Sequence, residues 1–126
     1  MGITGFDHIV LCVADVAATV RFYRDLLGLR AAEERPGKWA LYFGDHKISL
    51  QDPQTLPAIA RNTVPGSGNF CLLSTTPVAE HARVLRQAGV EIEVEPSPRE
   101  GARGPILSIY FRDPDGNLVE IANPQG

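Results

Sequence analysis

Apolar and polar positions along the chain spell out the same series of elements twice. A mostly apolar run at residues 6–13 (FDHIVLCV) predicts a strand with His8 near its start. Asp15 then offers an N-cap carboxylate, and Val16, Val20, Tyr23 and Leu27 recur at helical spacing as far as Gly28. That pattern predicts a helix over 16–27 closed by a glycine C-cap. Short strand-like runs follow at 29–34, 39–43 and 47–51, separated by Pro36-Gly37 and Gly44-Asp45 turns. A second strand is expected at 69–74, with Thr76 as N-cap and Pro77 opening a helix over 78–88 that ends at Gly89. Strands at 90–95, 106–111 and 118–122 complete the series, and the stretch 96–104 lengthens one connection into a loop. Asp15 to Thr76, Gly28 to Gly89 and Leu29 to Val90 share one spacing, which marks an internal repeat and sets Asn69 in the place of His8. The fold class expected is α+β: two βαβββ modules in one chain, related by a pseudo-twofold and forming a cupped mixed sheet. Module one takes 3–53, a Pro- and Gly-containing linker 54–68, and module two 69–123 of a single domain spanning 1–126.

Composition narrows the function classes. With 126 residues, 44% hydrophobic and 21% charged, the chain has the makeup of a soluble globular domain with a true core. A net charge of −3 gives no reason to expect nucleic acid or an anionic membrane as partner. No apolar run reaches membrane-spanning length and no signal-peptide pattern opens the chain, so a cytoplasmic location is expected. Cys12 and Cys71 sit in apolar strands without a CxxC or Cys/His cluster and read as buried, reduced thiols. His46 falls in a turn and His81 on a helix, and both read as surface residues. No nucleophile elbow, phosphate-binding loop or dinucleotide fingerprint is present.

Candidate chemistry concentrates near the end of the chain. Tyr110-Phe111-Arg112-Asp113-Pro114-Asp115-Gly116-Asn117-Leu118-Val119-Glu120 reads as strand, tight turn, strand, because Pro presets a turn φ and Gly or Asn accepts a positive one. Glu120 shares a strand face with Leu118 and Ala122, and a carboxylate among apolar neighbours needs a hydrogen bond, an ion pair or a metal.

The paired modules, the F-Y-x-x-L-L-G-L segment over 22–29 and the closing Y-F-R-D-P-D-G-N-L-V-E together resemble the vicinal-oxygen-chelate superfamily. That group includes glyoxalase I, extradiol dioxygenases, methylmalonyl-CoA epimerase, fosfomycin-resistance thiol transferases and bleomycin-resistance proteins. The chain is most similar to its glyoxalase-domain proteins of unassigned activity. The resemblance implies ligands from the first and last strands of each module: His8, Asn69, Glu120, and either Ser49 or Gln51. Ser49 and Gln51 share a face, and Gln is preferred because glyoxalase I and the epimerase use it as a ligand. On this basis His8, Gln51 and Glu120 would hold a divalent metal (Mn, Fe, Ni or Zn), with Glu120 doubling as catalytic base. Asn69 and Ser49 would then face substrate. Tyr110 resembles a substrate-contacting tyrosine of the fosfomycin enzymes, and Arg103 or Arg99 of the 96–104 loop would close on an anionic group. Two functions compete, beside a third reading as a regulatory or immunity protein with no chemistry. One is a metal-dependent lyase, isomerase, thiol transferase or dioxygenase acting on a small oxygen-bearing molecule. The other is a metal-free binding or sequestering protein of the bleomycin-resistance type, with Trp39, Tyr42 and Phe43 lining its cleft. A homodimer is expected in either case.

Overall fold

A computed structural model describes residues 1–52 and 60–126. Part of the expected linker, residues 54–59, lies outside the described residues. The chain divides into two compact units, Met1–Gly66 and Ser67–Gly126. Each holds a four-stranded mixed sheet and one helical segment, so each is a βαβββ module of α+β class.

In the first unit β1 (Ile9–Cys12) runs parallel to β4 (His46–Gln51), which pairs antiparallel with β3 (Lys38–Phe43). That strand in turn pairs with β2 (Arg30–Arg35), giving the order β1-β4-β3-β2. The second unit repeats the order as β5-β8-β7-β6, from β5 (Asn69–Leu73), β6 (Ile92–Gly101), β7 (Gly104–Arg112) and β8 (Leu118–Pro124). One face of each sheet is apolar and buried. In the first it carries Leu11, Leu41, Ile48 and Leu50; in the second Ile109, Phe111, Val119 and Ile121. Strand alternation leaves the other face to His8, Ser49, Lys47 and Tyr42 in one unit and to Asn69, Cys71, Glu120 and Tyr110 in the other.

Helix α1 (Val16–Arg21) begins where expected, with the Asp15 carboxylate accepting the Ala18 N–H at 3.0 Å. It does not continue as a regular helix to Leu27. Residues Phe22–Leu26 form a π-helical turn that seats Tyr23 with no exposed surface, and Gly28 at φ +74° ends it. Helix α2 (Val78–Gln87) departs from expectation at its start. Thr76 is not the cap: Pro77 stands at that position in an extended conformation, and the Val78 N–H is capped at 2.8 Å by the Asn123 amide oxygen reaching across from β8. The Asn123 amide nitrogen also donates to the Ser74 and Thr76 carbonyls, tying the β5–α2 connection to β8.

The largest difference lies at 96–104. It is a paired hairpin rather than a loop: β6 extends to Gly101 and β7 starts at Gly104, with Ser97 opposite Ser108 and Arg99 opposite Ile106. Pro96 and Pro98 suggested a loop, but β6 is an edge strand, where a missing N–H costs no ladder bond.

His81 is likewise not a free surface residue. Its Nε2 lies 2.7 Å from the Ser74 hydroxyl, and burial lowers its pKa below the ordinary value. The Ser74 oxygen also accepts the Thr76 N–H at 3.0 Å. The folded pKa lies below the unfolded one, near 6.5, so the unfolded chain binds the proton more readily as pH falls below that value. The melting temperature should therefore drop between about pH 7.5 and about pH 5.5, and His81→Gln should flatten that slope. An unchanged slope in the variant would assign the acid sensitivity elsewhere.

Candidate functional site

The turn before β8 positions Glu120. Asp113 Oδ1 accepts the backbone N–H groups of Asp115 and Asn117, both at 3.0 Å, and Oδ2 accepts the Asn117 amide at 2.8 Å. Asn117 in turn accepts the Gly68 N–H at 2.7 Å, and Gly116 holds φ +87°. Asp113 and Asn117 are buried. The Asp-Pro-Asp-Gly-Asn sequence is thus a self-bonded turn that fixes where β8 begins relative to β5 and β7.

Beyond that turn, Glu120 stands in a row across three strands, level with Cys71 on β5 and Tyr110 on β7. The carboxylate is half-buried, and the fully buried Ser108 hydroxyl donates to its Oε2 at 2.6 Å. Ser108 went unnoticed in the sequence because it reads as filler in an apolar strand. Its place two residues from Tyr110 on the same face is the signal that could have found it. Cys71 is exposed and Cys12 half-buried, contrary to the expected pair of buried thiols. Burial of the sulfur, followed by the adjacent Glu120 carboxylate, pushes the Cys71 thiol up to about 11, so it stays protonated beside that carboxylate. Arg99 reaches over the Tyr110 ring, with its guanidinium carbon 5.5 Å from the ring centroid, whereas Arg103 lies in the turn between β6 and β7. Asn69 opens β5, exposed and level with Leu118.

In the first unit His8 immediately precedes β1, and its Nδ1 lies 2.8 Å from the Asp7 carboxylate. That contact engages Nδ1 and leaves Nε2 as the ring nitrogen not paired with Asp7. Ser49 is buried and level with Val10, while Gln51 is half-buried and level with Cys12. Val10 and Cys71 are repeat equivalents, so the register makes Ser49 the counterpart of Glu120 and Gln51 the counterpart of Ala122. Of the aromatic lining candidates, only Tyr42 shares the face of Ser49. Trp39 and Phe43 project to the opposite side, where Trp39 lines a groove with Val16 and Val20 of α1.

A profile of the glyoxalase/bleomycin resistance protein/dioxygenase superfamily matches residues 5–121. The chain belongs to that superfamily. Virulence protein STM3117 of Salmonella typhimurium is 44% identical over 97% of this chain and 85% of its own length. Its crystal structure superposes with a TM-score of 0.93 at 40% identity, covering 99% of this chain and all of that one. The glyoxalase domain-containing protein RDO1 of Mycosarcoma maydis is 36% identical over 99% of this chain and 71% of its length. An integron cassette protein from the mobile metagenome of V. cholerae has a TM-score of 0.93 at 39% identity, covering 99% and 98% of the two chains. The glyoxalase fold thus accounts for the repeated module and for the turn that closes it. Among the described residues no helix is long and apolar enough to cross a membrane, and no three His, Cys, Asp or Glu side chains cluster.

Each face carries side chains of metal-ligating type, though few of them are strong ligands. Glu120 accepts from Ser108 through Oε2 and also hydrogen-bonds the Cys71 thiol, while the Asp7 contact of His8 is made through Nδ1 and not Nε2. Gln51 and Asn69 add neutral amide oxygens, which bind more weakly than imidazole or carboxylate.

Proposed function

We propose that this superfamily member acts on a small oxygen-bearing molecule, with His8, Gln51 and Glu120 as ligands of a divalent metal and Glu120 as general base. The observation that carries the reading is Glu120 itself. It is a half-buried carboxylate whose Oε2 is anchored by the buried Ser108 hydroxyl and which borders the protonated Cys71 thiol. A bound divalent ion would supply Lewis-acid polarisation of substrate oxygens. The protein's own groups do the rest. Ser108 fixes the carboxylate rotamer, so Glu120 can take a proton without swinging away. Asp7 holds the His8 ring so that Nε2 faces outward. Tyr110, level with Glu120 and flanked by Arg99, offers a hydroxyl and a nearby positive charge to the substrate. Asn69, Ser49 and Arg103 are further substrate contacts in this reading, and the working protein is a homodimer.

Metal analysis of protein purified without chelator should find divalent ion, and titration calorimetry with Mn, Ni and Zn salts should show saturable uptake. His8→Ala should remove most of that affinity. Uptake should also weaken as pH falls, since metal binding competes with protons for the ligand atoms. No uptake by the wild type at neutral pH would remove the metal-dependent reading. The chain would then be a metal-free sequestering protein, a role favoured by the exposed apolar side chains of Val10 and Leu73, which alternation places on the faces of Ser49 and Cys71.

A further inference from the structure

Arg30, Tyr42 and Lys47 form a second row across a sheet face, here in the first unit. Arg30 is level with Tyr42, and Tyr42 with Lys47, so one side chain from each of β2, β3 and β4 stands side by side. The row borders Ser49, two residues along β4 from Lys47 on the same face. Arg30 stacks its guanidinium on the Tyr42 ring, 4.4 Å from the centroid, and its N–H donors meet no acceptor among the described residues. Lys47 gives one N–H to Glu34 at 2.9 Å, and the Tyr42 hydroxyl donates to the same carboxylate oxygen. Lys47 and the Tyr42 phenol thus share the Glu34 carboxylate, with Asp7 a second negative charge acting on Lys47, while the stacked guanidinium is held in place before any ligand arrives.

We propose that this row is an anion subsite that grips a carboxylate, phosphate or phosphonate group of the small molecule bound on this face. Arg30 would supply the planar pair of N–H donors and Lys47 a point charge. Glu34 is the built-in competitor. Its carboxyl lies below its usual range because Tyr42 and then Lys47 hydrogen-bond to it, so it stays ionised at neutral pH and must yield Lys47 in part when an anion docks. The substrate class narrows accordingly, to small oxygen-bearing molecules that also carry a negative charge. The assignment rests on the proposed function only in taking this sheet face as the ligand-binding one, and it requires no metal.

The test uses metal-free, chelator-treated protein with inorganic phosphate and malonate as probes, followed by two-dimensional NMR. Both anions should produce saturable shifts at the Arg30 side-chain Nε–H and the Tyr42 backbone amide. Lys47→Met should weaken the response about tenfold, and Arg30→Lys should weaken it by less because charge is kept while the fork is lost. Glu34→Gln should strengthen it several-fold, a gain that a purely structural ion pair would not give. Glu80→Gln, which alters an ion pair on the surface of α2 in the other unit, should leave the titration unchanged. Absence of saturable shifts in well-dispersed wild-type spectra, or no strengthening in Glu34→Gln, overturns the subsite. Such a failure would leave metal uptake untouched, and failed metal uptake would leave the phosphate response standing.

Discussion

Asp113→Ala should lower the free energy of unfolding by about 2–4 kcal/mol, seen as a lower urea midpoint with an unchanged slope. The side chain is buried and accepts from Asp115 N–H, Asn117 N–H and the Asn117 amide. Alanine removes all three acceptor contacts at once and strands the Asn117 donors in a buried site, where each unmade bond costs more than the bond itself contributes. Asn117→Ala should cost a comparable amount, since it also frees the Gly68 N–H. The pair should be far from additive because they share one network. A loss under about 0.5 kcal/mol, the size expected of an ordinary surface change, would show that the turn is dispensable to folding.

Glu120→Gln should have the second large effect, with two separate readouts. In the proposed site, metal affinity should fall by at least about tenfold, because the proposed charged ligand becomes a neutral one while the shape is kept. The Cys71 thiol should become more reactive at the same time. Its ionisation is held up to about 11 first by burial and then by the Glu120 charge and hydrogen bond. Removing the charge takes away the second cause and leaves the first. In a Cys12→Ser background, the pH profile of iodoacetamide modification should therefore move to lower pH, without returning fully to the ordinary thiol value of about 8.5. A profile that does not move would mean that the two side chains do not interact, and Glu120 would then need a different orientation from the one described.

The repeat was legible because caps are local. Asp15, Gly28 and Gly89 act through backbone atoms a few residues away, and the glycines take the positive φ that ends each helix. The closing turn was legible for the same reason, since Asp113 bonds within its own five-residue segment. What escaped the sequence depends on partners distant along the chain. Thr76 has the chemistry of a cap, yet Asn123 on β8 reaches the helix first. His81 is held by Ser74 and not by solvent, and nothing local to either residue says so. The β6–β7 hairpin was hidden by prolines whose cost depends on which edge of the sheet they occupy. The Arg30–Tyr42–Lys47 row needs the register of three strands, which alternation alone does not supply.

Those prolines carry a consequence for how the protein behaves at high concentration. An edge strand with free N–H groups is a template for another chain, and runaway pairing of that kind is the start of aggregation. β6 contributes Pro96 and Pro98 to its edge, along with register shifts between Ile92 and Ser97 that distort it further. A stranger's strand docking there would find missing donors and a bent ladder. The second sheet is therefore protected along its longest strand against β-augmentation, whether by a partner or by a misfolded copy.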